Sequence, residues 1–201
     1  MRISTILVVL SLSVAAGNAS ELDRAVAALP NSQAQFTQRF TPRGFRTAQT
    51  ESGSVIFGAL PLMRWSYAKP EEKLFVFDGA RSWFYVPAEK QATVTALDES
   101  KRSELPFLVL ADPSARAQNF LVKEARRGKS VITTLQPRAS SAAIRNIAVS
   151  TDPSTHLLQR LEYTDRDGNQ TVFDFSLFQK ISAPTETFRF SAPAGVHVVQ
   201  Q

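Results

Sequence analysis

The sequence predicts a mainly β protein, a barrel or a strongly curved sheet of about eleven antiparallel strands with helical additions. Apolar residues recur with a period of two along most of the chain, as at Met63, Trp65 and Tyr67. Two glycine-containing turns, Asp78-Gly79 and Asp167-Gly168-Asn169, separate apolar runs as in β-hairpins. No βαβ rhythm and no longer internal repeat is visible, so a parallel α/β fold is not indicated.

The composition is that of an ordinary globular protein. Of the 201 residues, 43% are hydrophobic and 20% are charged, which excludes collagen-like and wholly disordered chains. The sequence contains no cysteine, which excludes disulfides, thiol catalysis and cysteine-ligated metals. The net charge of +5 is mildly basic and is not gathered into the stripe that nucleic-acid binding requires.

The first nineteen residues predict a secretory signal peptide. Met1-Arg2 is a short positive region, Ile3–Ala16 is apolar, and Gly17-Asn18-Ala19 has small residues where a signal peptidase cleaves. The apolar run is shorter than the ~20 residues that a membrane span needs. We therefore expect residues 1–19 to be removed and residues 20–201 to form a single domain in the periplasm of a Gram-negative cell.

An amphipathic helix is expected first, because Ser20 can cap it and Leu22, Ala25, Val26 and Leu29 share one face up to Pro30. Strands follow, the first with Phe36, Gln38 and Phe40 on one face. The later strand candidates are Val55–Phe57, Met63–Tyr67, Lys73–Phe77, Ser82–Val86, Gln91–Leu97, Phe120–Ala125, Val131–Leu135, Ala143–Val149, Leu157–Thr164, Gln170–Leu177 and Thr187–Phe190.

One segment interrupts the period of two. Ser103–Pro113 predicts a short helix that Ser103 caps and Pro113 ends. Its middle is apolar on every side, so it must be covered all round. It either packs into the core as an ordinary helix, which the residues alone favour, or plugs a cavity.

The sequence shows no catalytic constellation. It has no Gly-x-Ser-x-Gly, no glycine-rich phosphate loop and no His-Glu-x-x-His. His156 and His197 have no evident partner, and Arg126-Arg127-Gly128-Lys129 is typical of a hairpin turn. We therefore predict no catalytic residue, no metal site, no cofactor and no nucleic-acid partner.

The hairpin around Asp78-Gly79 is apolar on both faces, with Leu74–Phe77 on one arm and Trp83–Val86 on the other. One face can line the inside of a curved sheet, and the other needs a cover as well. Cavities lined by such residues accept apolar guests. The residues alone therefore suggest a periplasmic binder of a lipid-like molecule.

A set of short motifs, in order along nearly the whole chain, resembles the LolA family of periplasmic outer-membrane lipoprotein carriers. Each motif is weak alone, but the ordered set is specific. The motifs are Phe36-Thr37-Gln38, Trp65-x-Tyr67-x-x-Pro70, Leu74-Phe75-Val76-Phe77-Asp78-Gly79, Trp83-Phe84-Tyr85-x-Pro87, Gln91-Ala92-Thr93, Pro106-Phe107-x-x-Leu110 and Phe188-x-Phe190-x-x-Pro193-x-Gly195-Val196-x-Val198.

The resemblance implies an unclosed β-barrel with a helical lid over a hydrophobic cavity, and no catalysis. It implies that triacylated lipoproteins are accepted from an inner-membrane ABC transporter and passed to an outer-membrane receptor by a monomer. The lid residues would be Leu105, Phe107, Leu108 and Leu110. The cavity residues would be Phe36, Phe57, Met63, Trp65, Tyr67, Phe75, Phe77, Trp83 and Tyr85.

The chain departs from the family pattern at one position. The family typically carries an Arg-Pro pair shortly before the tryptophan, and that arginine fastens the lid. Here Ala59 or Leu60 takes its place, and Arg64 should face the other side of the strand. Another residue must hold the lid, or the protein is a LolA-like binder of another lipid or a glycolipid.

Overall fold

The computed structural model describes residues 19–201, so the predicted signal peptide lies outside the described residues except for Ala19. Most of the architecture is one sheet of twelve strands, and the helices are short. The strands are β1 Ser32–Thr41, β2 Gln49–Phe57, β3 Met63–Lys69, β4 Lys73–Phe77, β5 Arg81–Val86, β6 Gln91–Ala96, β7 Phe120–Arg127, β8 Ser130–Pro137, β9 Ile144–Asp152, β10 Leu157–Asp165, β11 Gln170–Lys180 and β12 His197–Gln200.

The sheet is unclosed and follows the order β12-β6-β5-β4-β3-β2-β1-β11-β10-β9-β8-β7. Neighbouring strands pair antiparallel, as predicted, except that β12 runs parallel to β6. The prediction of a strand at Thr187–Phe190 was wrong, because a 3-10 turn occupies Thr185–Phe188. The final strand at His197–Gln200 was not predicted. The connection after β11 crosses to the far edge of the sheet, where β12 runs parallel to β6.

The two predicted hairpins are present. The turn between β4 and β5 is held by Asp78, whose carboxylate accepts hydrogen bonds from the backbone N–H groups of Ala80 at 2.9 Å and Arg81 at 2.7 Å. Gly79 adopts a φ of +99°, a conformation that L side chains disfavour. The basic segment Arg126–Lys129 forms the turn between β7 and β8, as the sequence indicated.

The first helix, α1 (Glu21–Ala28), begins where the sequence predicts. Ser20 is its N-cap and accepts a hydrogen bond from the N–H of Asp23 at 3.1 Å. The buried Leu22 and Ala25 face β8, β9 and β10. This helix therefore seals one half of the inner face, which we define as the face of the sheet that the helices cover.

The predicted single helix at Ser103–Pro113 was wrong in its extent. The structure has α2 (Glu99–Ser103), α3 (Pro106–Ala111) and α4 (Pro113–Asn119), and Ser103 ends α2 instead of capping α3. Pro106 and Pro113 each occupy a first-turn position, because a proline inside a helix would lack its N–H donor. Within residues 19–201, no helix has the length and apolar character needed to cross a membrane.

Candidate functional site

An aromatic cluster covers the inner face of β1, β3 and β11. The period of two places Phe36, Trp65 and Phe173 on this face, and the strand order brings them together. The ring centroids of Phe36 and Trp65 are 5.1 Å apart, and those of Trp65 and Phe173 are 5.3 Å apart. Such edge-to-face and tilted pairs add to the stabilisation from burial alone. The cluster also contains Phe57, Tyr67, Phe75, Phe175 and Phe178.

Helix α3 lies on this cluster and inserts Phe107 into it. The Phe107 ring is 4.8 Å from that of Trp65, 5.8 Å from that of Phe173 and 6.0 Å from that of Phe175, measured between centroids. Residues Pro106–Leu110 are all buried, so the helix that the sequence showed to be apolar on every side is covered on every side. The helix therefore closes the aromatic half of the inner face.

A cavity of about 230 Å³ remains between α3 and the sheet. This volume lies below the roughly 300–1,000 Å³ of typical small-molecule sites, so the cavity as it stands has no room for several acyl chains. The cavity is lined by Gln38, Met63, Trp65, Tyr67, Phe75, Phe77, Leu105, Pro106, Phe107, Leu108, Tyr163 and Phe173.

A larger space of about 860 Å³ lies beside α2, α3 and α4. Leu60 and Pro61 border it on one side, and Pro137–Ile144 on the other. Leu108 lines both this space and the smaller cavity, and is 5% exposed. Helix α3 therefore lies between the smaller cavity and this larger space.

Of the nine predicted cavity residues, five line the smaller cavity, two belong only to the aromatic cluster, and two lie on the outer face of the sheet. Met63, Trp65, Tyr67, Phe75 and Phe77 line the smaller cavity, as do the predicted lid residues Leu105, Phe107 and Leu108. Phe36 and Phe57 belong to the aromatic cluster but lie outside the lining, and Leu110 of the lid is buried in the core. Lipid binding by any of these residues stays a prediction.

The structure places Trp83 and Tyr85 on the outer face of the sheet, away from the cavity. Phe75 pairs with Phe84, so Phe84 shares the inner face and stacks on Phe75 at 4.4 Å between centroids. Trp83 and Tyr85 instead pack against Phe190, at 5.2 and 5.5 Å. The aromatic residues of β5 thus lie on both faces of the sheet. On the outer face they are covered by Phe190, which lies in the chain after β11.

Polar side chains adjoin the aromatic cluster on the inner face, further along β1, β2, β3 and β4. The Tyr67 O–H donates to Gln38 Oε1 at 2.6 Å, and Gln38 Nε2 donates to Glu51 Oε2 at 3.5 Å. Lys73 forms an ion pair with Glu51, and its Nζ lies 5.5 Å above the Tyr67 ring. Burial, followed by the charge of Glu51, raises the pKa of Tyr67 well above its ordinary value, so the hydroxyl stays protonated.

Arg102 fastens α2, which leads into α3, to the β4–β5 turn and to the end of β6. This residue of α2 donates to the carbonyl oxygen of Gly79 in the β4–β5 turn and, through Nε, to that of Leu97 at 3.1 Å. Of the two residues that could take the family arginine's place, Ala59 is exposed and Leu60 packs against the core, and neither side chain can donate a hydrogen bond. Arg64 points to the outer face, as predicted, and donates to the Thr187 carbonyl at 3.4 Å.

Arg116 connects α4 both to α1 and to the C-terminal end of α3. This α4 residue is 5% exposed, pairs with Asp23 of α1 and donates to the carbonyl oxygen of Leu110 in α3. Burial lowers the pKa of its guanidinium, whereas the charge of Asp23 raises it. Since a buried charge is costly without a partner, this pair ties α3 and α4 to α1.

Known proteins match the chain over most of its length. The model of the family described as outer membrane lipoprotein carrier protein LolA matches residues 28–191. The chain belongs to the LolA family. An outer-membrane lipoprotein carrier protein of Xanthomonas axonopodis pv. citri is 34% identical to it over 187 residues, covering 92% of this chain and 88% of the relative. One from Nitrosospira multiformis is 33% identical over 171 residues, covering 84% and 82%.

A solved structure shares the fold of this LolA-family chain. An uncharacterized conserved protein from Thermus thermophilus superposes with a TM-score of 0.55, over 90% of this chain and 97% of that one. The two sequences are 14% identical, so the likeness concerns the fold alone.

Sequence reasoning missed several site residues of this LolA-family chain. Phe173 and Phe175 were assigned to a strand but not to the site, although their alternation on β11 was a visible signal. Their place became evident only from the register, in which Phe175 lies opposite Phe36. Gln38 and Tyr163 were also missed, because a search for an apolar cavity passes over polar residues.

Proposed function

We propose that this LolA-family protein is a periplasmic carrier that shelters the acyl chains of lipoproteins between the inner and outer membranes. It would accept its cargo from an inner-membrane ABC transporter and deliver it to an outer-membrane receptor. One observation carries the proposal: a helix that is apolar all round inserts Phe107 into an aromatic cluster beside a small apolar cavity. The curated names of its relatives support lipoprotein as the cargo.

The energetics favour a lid that competes with the cargo. Burying one acyl chain of about 15 methylenes gains on the order of 10 kcal/mol, at ~0.8 kcal/mol per CH₂. Three chains would exceed the roughly 20 kcal/mol at which measured affinities saturate, and such a carrier would not release its cargo. In the closed form Phe107 already occupies the aromatic cluster. Loading therefore exchanges one apolar contact for another, which lowers the net affinity.

The small cavity requires α3 to move before cargo enters. The fastenings of the lid differ at its two ends, since Arg102 in α2 is half-buried and Arg116 in α4 is buried. We infer that the α2 side swings away while the Arg116 end stays in place. Transfer then needs no nucleotide at this protein, only a receptor that holds the acyl chains more strongly.

Leu108→Glu tests the proposal. The carboxylate would lie between the two cavities without a partner, which costs several kcal/mol in an apolar setting. We expect lipoprotein to stop co-purifying with this variant from the periplasm. Ala117→Glu is the matched control, because Ala117 is an exposed residue of α4 in the same lid, and it should retain cargo. Undiminished cargo on Leu108→Glu would overturn the assignment of α3 as the lid.

Mass spectrometry of the material that co-purifies separates this function from the alternative. Triacylated protein supports the lipoprotein carrier, whereas free lipid or glycolipid supports a LolA-like carrier of another cargo. We assign no catalytic reaction to the protein with either cargo.

A further inference from the structure

The polar side chains beside the aromatic cluster form a layer of their own, which we call the polar layer and define as Gln38, Glu51, Tyr67, Lys73 and Tyr163. In β1 the inner-face residues run from Phe36 to Gln38, and in β3 from Trp65 to Tyr67, so each strand passes from the aromatic cluster into the polar layer. Gln38, Tyr67 and Tyr163 line the same cavity as Trp65 and Phe107. The cavity is thus apolar at one end and polar at the other.

The side-chain amide of Gln38 is held in one orientation. Its oxygen accepts the Tyr67 O–H at 2.6 Å, and its nitrogen donates to the Glu51 carboxylate at 3.5 Å. A reversed amide would set its oxygen against the Glu51 carboxylate, where two acceptors repel each other, so the contact with Glu51 selects the orientation. Lys73 in turn holds Glu51 through their ion pair. The layer therefore presents the NH₂ end of Gln38 at a defined place.

Gln38 retains donor capacity for a ligand. An amide nitrogen carries two N–H groups, and the contact to Glu51 is at the long limit of a hydrogen bond. Polar groups at the end of an apolar cavity fix the orientation of a ligand that is itself apolar at one end. A carbonyl oxygen is the acceptor that such an N–H matches.

We propose that the polar layer is a head-group subsite, in which Gln38 donates a hydrogen bond to an ester carbonyl that joins an acyl chain to glycerol. This inference rests on the proposed carrier function and adds which part of the cargo the protein recognises by a hydrogen bond. The hydrocarbon would lie along the aromatic cluster, and its ester would stop at Gln38. Tyr67 acts as a positioning residue, because it orients the amide without contacting the ester.

The test uses the purified mature protein and two synthetic probes. One is a triacylated lipopeptide with two ester-linked chains on its glyceryl cysteine. The other is its diether analogue, in which the two ester carbonyls are methylenes. Gln38→Leu keeps the bulk of the side chain and removes the donor. We expect it to weaken binding of the ester probe about fivefold and to leave binding of the ether probe unchanged.

A matched control and a second variant guard against a general loss of structure. Gln35→Leu makes the same change on the exposed outer face of β1 and should alter binding of neither probe. Tyr67→Phe keeps the ring but frees the amide of Gln38, and should weaken binding of the ester probe alone, by about twofold.

The outcomes are distinguishable. If Gln38→Leu weakens both probes equally, or neither, the head-group subsite is wrong while the carrier proposal stands. If the unaltered protein binds neither probe, the carrier proposal fails, and the subsite fails with it.

Discussion

The two halves of the inner face are both closed by a helix, but they are built differently. Helix α1 covers an aliphatic half, in which Leu135, Val149 and Leu161 are fully buried. Helix α3 covers the aromatic half, in which Phe75 and Phe77 stay partly exposed and a cavity remains. The aliphatic half is thus a fully buried core, whereas the aromatic half keeps a cavity beside partly exposed rings.

The two helices also differ in the side-chain hydrogen bonds at their N-termini. Glu124 accepts hydrogen bonds from the first N–H groups of α1, those of Leu22 at 3.1 Å and Glu21 at 3.3 Å. The buried Glu21 also contacts the Nδ1 of His156 at 2.9 Å. Among the described residues, no side chain caps α3, which Leu105 precedes. Side chains thus hold the N-terminus of α1 but not that of α3, which Arg116 holds only near its C-terminal end. We therefore expect α3 to be displaced more easily than α1.

The largest expected effect is a difference in the free energy of unfolding between two variants, each with one buried residue of one half replaced by alanine. Leu161→Ala should lower the free energy of unfolding by about 3 kcal/mol, because it leaves a cavity in the aliphatic core. Phe107→Ala removes a larger side chain but should cost less than half as much. A lid substitution cannot cost more than the free energy of closing the lid, since the lid then simply stays open.

Chemical denaturation of both variants measures this contrast. An equal or greater loss for Phe107→Ala would show that α3 belongs to the permanent core, and the distinction between the halves would break down.

The next effect concerns the buried anchor between α4 and α1. Arg116→Met preserves most of the apolar volume but removes the hydrogen bonds to Asp23 and to the Leu110 carbonyl. We expect a loss of about 2 kcal/mol in the free energy of unfolding, as for hydrogen bonds of a charged group. Arg24→Met, on the exposed side of α1, is the control and should cost well under about 1 kcal/mol. No loss for Arg116→Met would mean that α4 is not anchored through this residue.

The smallest effect concerns the fastening of α2. Arg102→Ala removes the hydrogen bonds to Gly79 and Leu97 and should loosen the lid without unfolding the protein. Amide hydrogen exchange should quicken about fivefold across residues 99–111 and stay unchanged in α1. Lys101→Ala is the control, because Lys101 is an exposed neighbour that pairs with Glu104 of its own segment at 3.3 Å. Unchanged exchange in Arg102→Ala would remove Arg102 as the fastening residue.

Much of this architecture could be predicted because its signals are local. The alternation at Met63, Trp65 and Tyr67 put all three on one face, and the Asp78-Gly79 turn joined β4 to β5. The extent of the helical segment was harder to predict, because Pro106 and Pro113 divide it into separate helices and Ser103 proved to end the first of them. Local patterns thus located the helical segment but not its subdivision.

The amino-acid sequence by itself determined which residues share a face of each strand, where the hairpins turn and which helix is apolar all round. The tertiary structure decided which face is the inner one, and so placed Phe84 beside the cavity and Trp83 outside it. It also brought Phe175 opposite Phe36, and Arg102 to Gly79. A period of two is a local property, whereas inside and outside exist only once distant strands have paired and the helices have covered one face.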